Sequence, residues 1–285
     1  MSTNINFNNN LGISRGCNIT LASNTVISLL LDTYPNAKVA YSLRKLRTAY
    51  SGNAIRVRRT DLAEQDIGFD SNGNLDTVAL LAFVGTGALD NGFITTWYDQ
   101  STNANNATQV AAISQAQIVS AGTVITDPIT NKISTIWIND AYSTATSFAP
   151  VQQNTQIAVF NRTALTQRII NLGSSVSQPF IGQWSTSNVV QTGYGSTFTH
   201  GTSAATGIFL QTVLRNSSNE VKAWHNNVAF PTVINSNINN SFNFWGKNSS
   251  PQSNGYKQEL IYWISDQEAN RIEIETEINT YWNAY

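Results

Sequence analysis

The sequence holds one cysteine, Cys17, and two histidines, His200 and His225. A single thiol excludes an intrachain disulfide. One thiol and two imidazoles do not make a zinc or iron site. Charged residues make up 12% of the chain, about half the usual share. Net charge is −1, and no run of Lys or Arg exceeds a pair. Phosphate-backbone binding needs a concentrated basic footprint, so nucleic acid is not an expected partner. The longest apolar stretch near the N-terminus, Val26 to Leu31, is too short to span a bilayer. Met1 to Asn10 is polar and Asn-rich, without the basic start and apolar run of a signal peptide. The expectation is synthesis in a cytosol with no membrane insertion. No G-x-S-x-G occurs, and "GTGALD" (Gly85 to Asp90) fails the dinucleotide fingerprint at its third glycine, so no cofactor is expected.

Hydrophobic residues form 41% of the chain and aromatics 10%, enough for a substantial core. Asn, Ser, Thr, Gln and Gly fill the place of the missing charges. A polar, weakly charged surface suits packing into an assembly or contact with neutral ligands such as sugars.

Residues 1–33 differ from the rest. "STNINFNNN" is low-complexity, and "ITLASNTVISLLLD" reads as one or two short extended segments. The segment is expected to be an attachment arm, with one globular domain over 34–285. Val39, Leu43, Leu46 and Tyr50 recur at three- and four-residue spacing between Pro35 and Gly52, which predicts a helix over 36–50. "AIRVRRT" predicts a strand. "DSNGNLD" (Asp70 to Asp76) alternates oxygen ligands like a calcium loop but lacks the required glycine and the later glutamate. It is expected to be an Asn-Gly turn, leading into a short helix capped by Asp76. From "GFITTWYDQ" onward the pattern is nearly all β, with Asn/Gly/Ser turns at short intervals, the rhythm of a sandwich or barrel. Arg215 to Val221 reads as a hairpin with "NSSN" as its loop. Ser265 and Glu268 match a capping box before a closing helix. Ile274, Ile278, Tyr281 and Tyr285 share its expected buried face, and Glu273, Glu275 and Glu277 are expected to be solvated.

Carboxylate pairs are the equipment of glycoside hydrolysis. The chain has 17 acids, none of them between Asp140 and Glu220. Asp99 follows a strand and is expected to brace the next loop. Glu259, in the penultimate element, is expected to be buried and hydrogen-bonded.

Three ordered stretches carry a resemblance: "AYSLRKLRTAYSGNAIRVRR" with "DIGF", then "TTWYDQSTNANNATQ", then "GYKQELIYWISDQEANRIEIETEINTYW". They resemble the catalytic domain of α-L-arabinofuranosidase B, glycoside hydrolase family 54. The family's Y-D-Q-S-G-x-G-N motif is matched by Tyr98, Asp99, Gln100, Ser101 and Asn105/Asn106. Its E-G strand and following helix start are matched by Glu259 and by Ser265 to Asn270. The resemblance implies an all-β chain with two or three peripheral helices, a concanavalin A-like β-sandwich (jelly roll). It also implies a retaining mechanism with a Glu nucleophile and an Asp general acid. The acid's place falls on Asn248, and an amide cannot donate a titratable proton to a leaving group. The nucleophile's place falls in the acid-free middle of the chain. The family's vicinal disulfide has no Cys-Cys pair here.

The same anchors, without the catalytic carboxylates, are similar to domains of tailed-bacteriophage structural proteins. The resemblance implies a non-catalytic virion surface protein, a tail, fibre or head-decoration component assembled in host cytoplasm. Its expected partners are other virion proteins through residues 1–33, host carbohydrate, and further copies of itself. Aromatic faces stack on sugar rings and amides pair with hydroxyls, so Trp184, Gln183, Tyr194, Trp245 and Asn248 are the ligand candidates. Two alternatives stand beside this reading. One is an active arabinofuranosidase-type hydrolase, with Glu259 and Asp99 as its acids; the other is a free lectin.

Overall fold

The computed structural model describes residues 28–138, 141–148, 151–163, 170–171, 180–183, 189–193, 197–202, 206–234, 242–246 and 255–285. Side chains at 141, 144–148, 170–198 and 242–246 are outside that description. Among the described residues there are twenty strands and three α-helices, Leu30–Thr33, Thr77–Val84 and Arg271–Trp282. The all-β class with peripheral helices is therefore observed, and every pairing between the described strands is antiparallel. No helix among the described residues is long and apolar enough to cross a membrane.

Strand Gly255–Trp263 is the hinge of the architecture. Along one edge it pairs with Asn154–Arg162. Along the other, residues 259–263 pair with Ala37–Ser42 and residues 255–257 with Thr135–Trp137. All of these strands belong to one continuous hydrogen-bonded sheet, and this strand joins its two parts, called the first and second sheets below. The first sheet continues from Asn154–Arg162 to Gly207–Arg215 and Glu220–His225. The second runs from Thr135–Trp137 through Gln117–Ser120, Gly92–Trp97 and Ile55–Arg59 to Glu64–Ile67. The two sheets differ in sequence pattern for a physical reason. Ile55–Arg59 alternates, with Ile55 and Val57 buried and Arg56 and Arg58 part-exposed, because one of its faces meets solvent. Asn154–Arg162 is buried at every position because both of its faces are covered.

The helix Arg271–Trp282 supplies one of those covers. Thr212 donates to Glu275 at 2.6 Å, Trp282 donates to Glu259 at 2.9 Å, and the Arg271 guanidinium lies 4.5 Å above the Trp224 ring. This corrects the expected helix face. Ile274, Glu275, Ile278 and Trp282 are buried, while Tyr285 is 47% exposed because Asn283, at φ 56°, ends the helix in a left-handed turn. Glu275 is buried rather than solvated because Arg271, one turn earlier, neutralises it at 2.7 Å. Glu277 bonds Arg44 at 2.7 Å. The expected capping box does not form. A 3₁₀ turn, Glu268–Asn270, precedes the helix, Ser265 accepts from the Gln267 side chain, and Asp266 accepts from the Glu268 N–H.

A second correction concerns 36–50. This stretch is not a helix. Ala37–Ser42 is a strand, and 43–50 is irregular chain that still buries Leu43 and Leu46. Apolar residues three and four apart fit a helix, but a strand covered on both faces carries no alternation to betray it. In the segment expected as an arm, Leu30 and Leu31 are buried in the core within a single helical turn. Other expectations hold. Asp76 caps Thr77–Val84 by accepting from the Ala79 N–H at 2.9 Å. Asp70 accepts from the N–H groups of Asn72 and Asn74 around Gly73, whose φ is +80°, closing the Asn-Gly turn. Arg215 pairs with Val221 across the predicted hairpin.

By register, the first sheet's other face carries Gln156, Arg162, Gln211, Arg215 and His225, all buried. His225 packs between Phe209 and Phe230, each with its ring centroid 5.0 Å away. Burial, with the Arg162 charge and His200 nearby, pushes its imidazole down to about 3. Unfolded histidine titrates near pH 6.5, so the unfolded chain takes up the proton first. The stabilisation is complete above that value and is lost as pH falls from about 6.5 towards 3, at roughly 1.4 kcal/mol per pH unit. Burial also lowers His200, which adds in the same direction. Urea unfolding is expected to show about 2 kcal/mol less stability at pH 5 than at pH 7 from His225 alone. His225→Phe flattens that dependence; an unchanged pH slope in the variant would contradict the assignment.

Candidate functional site

The Tyr98–Ser101 motif sits just past strand Gly92–Trp97, where it meets the first strand of the core. Asp99 is 2% exposed and its carboxylate accepts four hydrogen bonds: from Ala40 N–H at 2.9 Å, Ser101 N–H at 2.9 Å, Ser101 Oγ at 2.7 Å and Asn105 N–H at 2.9 Å. Burial holds the carboxyl above its ordinary pKa, against the pull of the Ser101, Asn105 and Ala40 bonds. Gln100 works on the next stretch. Its amide nitrogen donates to the carbonyls of Ser42 and Arg44, and its oxygen accepts from Leu46 N–H. Tyr98 donates to Asp66, and Asn106 accepts from Asp99 N–H. The motif is a clasp that pins residues 40–46 in place.

Glu259, 1% exposed, is held as tightly. Arg44 donates to it at 2.8 and 3.2 Å, Ser42 at 2.7 Å and Trp282 at 2.9 Å. Burial works against the Arg44 charge, but Glu259 and Glu277 more than offset it and raise its pKa. Among the described residues, the other two buried acids are also committed. Asp127 accepts from Ile129 and Thr130 N–H and from Asn161, and Glu275 accepts from Thr212 and Arg271. Each carboxylate braces the fold.

Of the expected ligand residues, Trp184, Tyr194 and Asn248 lie outside the described residues. Gln183 and Trp245 fall on strands Phe180–Gln183 and Phe242–Gly246, which are joined through Ile170–Asn171; their side chains are not described. Among the described residues, no group of three or more His, Cys, Asp and Glu side chains is placed to hold a metal.

Sequence reasoning missed the open face of the second sheet. Arg58, Phe93, Gln117 and Ile136 are successive cross-strand partners, so their side chains form one row across four strands. Over this row lies a cleft of about 640 Å³, lined also by Ile113, Gln115 and Ile138. A neighbouring cleft of about 350 Å³ is lined by Glu64, Thr96, Thr108, Gln109 and Val110 and shares Gln115. Val110 and Ile113, 95% and 94% exposed, project from the connection between them. Amides, threonines, one aromatic ring and arginines on a solvent-facing sheet can recognise a polar ligand. No local signal marks them, because only the register brings 58, 93, 117 and 136 together.

Topology and packing place the chain in the class of concanavalin A-like β-sandwiches. Its fold matches that of a glycoside hydrolase family 54 α-L-arabinofuranosidase soaked with a cyclic sulfate inhibitor, with TM-score 0.63 and 14% identity. A mutant of such an enzyme soaked with 4-nitrophenyl α-L-arabinofuranoside matches at TM-score 0.65 and 14% identity. An arabinofuranosidase complexed with arabinofuranosyl-α-1,2-xylobiose matches at 0.60 and 15%. Each match covers 86% of this chain and 63% of the other, so the chain spans less than two thirds of the proteins it resembles. At this identity the likeness is one of fold. No protein-family model and no curated protein matches the sequence.

Proposed function

We propose that the chain is a non-catalytic, carbohydrate-facing β-sandwich on the surface of a bacteriophage particle, as a tail, fibre or head-decoration protein. The observation that carries the non-catalytic part is the captivity of the acids. Glycoside hydrolysis needs two carboxyl groups flanking the scissile bond, about 5–5.5 Å apart in a retaining enzyme and free to exchange a proton or bond the sugar. Asp99 and Glu259, the two acids that the active-hydrolase alternative would have to use, are 2% and 1% exposed and hold four bonds each. The open face supports the carbohydrate part, because sugars are bound by amides, hydroxyls and apolar surface rather than by a field of charge. The similarity of the ordered sequence anchors to phage structural proteins, and the 12% charge content, support the virion part.

Incubation with 4-nitrophenyl α-L-arabinofuranoside is the direct test. Release of nitrophenol no faster than in a buffer control is the expected result, and enzymatic turnover overturns the non-catalytic reading. The rival reading, an active arabinofuranosidase-type hydrolase, is favoured by the fold likeness, and the same assay separates the two. Mass spectrometry of purified phage particles tests the location, the chain being expected in the particle fraction at stoichiometric amounts.

A further inference from the structure

Among the described residues, the protein contacts of Arg58, an arginine in an open cleft, are all neutral. Its guanidinium lies 4.9 Å from the centroid of the Phe93 ring. Nε donates to Gln115 Oε1 at 2.7 Å and Nη1 donates to the Arg59 carbonyl at 2.9 Å. Gln115 is itself 7% exposed and is fixed by donating to the Gln109 carbonyl at 2.9 Å. These contacts hold the planar fork still and do not use Nη2. No carboxylate among the described residues comes within 4.0 Å of it, whereas Arg44, Arg56, Arg59 and Arg271 each have such a partner. Glu64, the acid across the strand pair from Arg58, is turned to Arg56 at 2.7 Å. A guanidinium that is pre-positioned, with no counter-ion among the described residues, is suited to bidentate capture of an oxyanion.

The rest of the cleft narrows the ligand. Its volume, about 640 Å³, is in the range of small-molecule sites. Ile113 and Ile138, 94% and 63% exposed, offer apolar surface, and Ser114 and Gln117 supply polar groups suited to hydroxyls. With a net charge of −1 over the whole chain, an extended polyanion would find no run of cations to follow. We infer that this cleft binds a saccharide carrying a single anionic group, a carboxylate or a sulfate, with Arg58 as its counter-ion. The inference rests on the carbohydrate-facing reading above and names the sugar class that this face takes.

Calorimetric titration of the full chain tests it with four probes: a galacturonate trisaccharide, its carboxyl-reduced galactose counterpart, a galactose 6-sulfate disaccharide and its unsulfated parent. At least one anionic probe is expected to bind more tightly than its neutral counterpart, and which one does so separates carboxylate from sulfate. Arg58→Gln is expected to weaken that probe on the order of 10- to 100-fold, the worth of a charge-assisted hydrogen bond. Ile138→Glu, which leaves Arg58 in place and sets a like charge at the cleft wall, is expected to weaken the same probe. Equal affinity for charged and neutral sugars, unchanged in both variants, overturns this inference and leaves the carbohydrate reading standing. Binding of none of the four probes, with the variants as stable as wild type, overturns the anionic-sugar inference; a broader array of neutral glycans that also finds no binder removes the carbohydrate reading beneath it.

Discussion

Arg44→Leu is expected to cost on the order of 3–5 kcal/mol of folding stability, the usual result of breaking a buried ion pair from one side. Arg44 is 4% exposed and Glu259 1%. The arginine donates to Glu259 at 2.8 and 3.2 Å and to Glu277 at 2.7 and 2.9 Å. Leucine fills much of the same volume but leaves the Glu259 carboxylate enclosed, with only Ser42 and Trp282 as donors. Glu259 must then either remain charged in a poor dielectric or take up a proton, and both destabilise the native state. Arg44→Lys keeps the charge but not the two-armed geometry that spans Glu259 and Glu277, so an intermediate loss is expected. The double variant Arg44→Leu, Glu259→Gln removes the stranded charge and is expected to recover part of the loss. Urea unfolding midpoints and slopes give each value. A loss below about 0.5 kcal/mol for Arg44→Leu would place the pair with weak surface ion pairs and contradict the enclosure described above.

The core strands were legible because their composition is extreme. Asn154–Arg162, Gly207–Arg215 and Gly255–Trp263 are runs of β-branched, aromatic and other bulky residues between turn-forming clusters, and such runs have few other solutions. The Asp76 cap and the Arg215–Val221 hairpin were legible because both signals are local. Ala37–Ser42 failed for the opposite reason. Its conformation is fixed by Leu260, Ile261 and Trp263 far along the chain and by the side chains of Asp99 and Gln100. Nothing within residues 36–50 records those partners. Glu275 reads as solvated although its partner Arg271 is only four residues away, because nothing local shows that this helix face packs on Thr212; the partner of Glu277, Arg44, is 233 residues distant. The structural roles expected for Asp99 and Glu259 could be read because each follows or occupies a strand in an apolar setting. The identity of their donors could not, Ser42 being 217 residues from Glu259. The open face was the least legible feature. Arg58, Phe93, Gln117 and Ile136 come from four separate segments, and each is unremarkable in its own.

Asp99→Asn is the substitution expected to do most damage for the smallest change in shape, about 2–4 kcal/mol from two or more charge-assisted bonds lost or reversed. The carboxylate offers two acceptor oxygens to four donors: Oδ1 takes the N–H groups of Ala40 and Ser101, and Oδ2 takes Ser101 Oγ and Asn105 N–H. Asparagine keeps one oxygen and turns an NH₂ group towards the donors on the other side. If the oxygen faces Ala40, then the Asn105 N–H is left facing a donor; a flip exchanges that loss for two others. Either way a buried N–H goes unmatched, and the clasp over residues 40–46 slackens at its first bond. The loss is expected to be local before it is global. Amide hydrogen exchange at Ala40, Ser101 and Asn105 should accelerate more than exchange in the Gly207–Arg215 and Glu220–His225 hairpin, which the clasp does not touch. Gln100→Leu removes the neighbouring contacts to Ser42, Arg44 and Leu46 while leaving Asp99 intact, and its effect should be less than additive with Asp99→Asn because both hold the same strand. Strict additivity, or a neutral Asp99→Asn, would mean that the motif does not hold the first strand and that its acid is available for some other task.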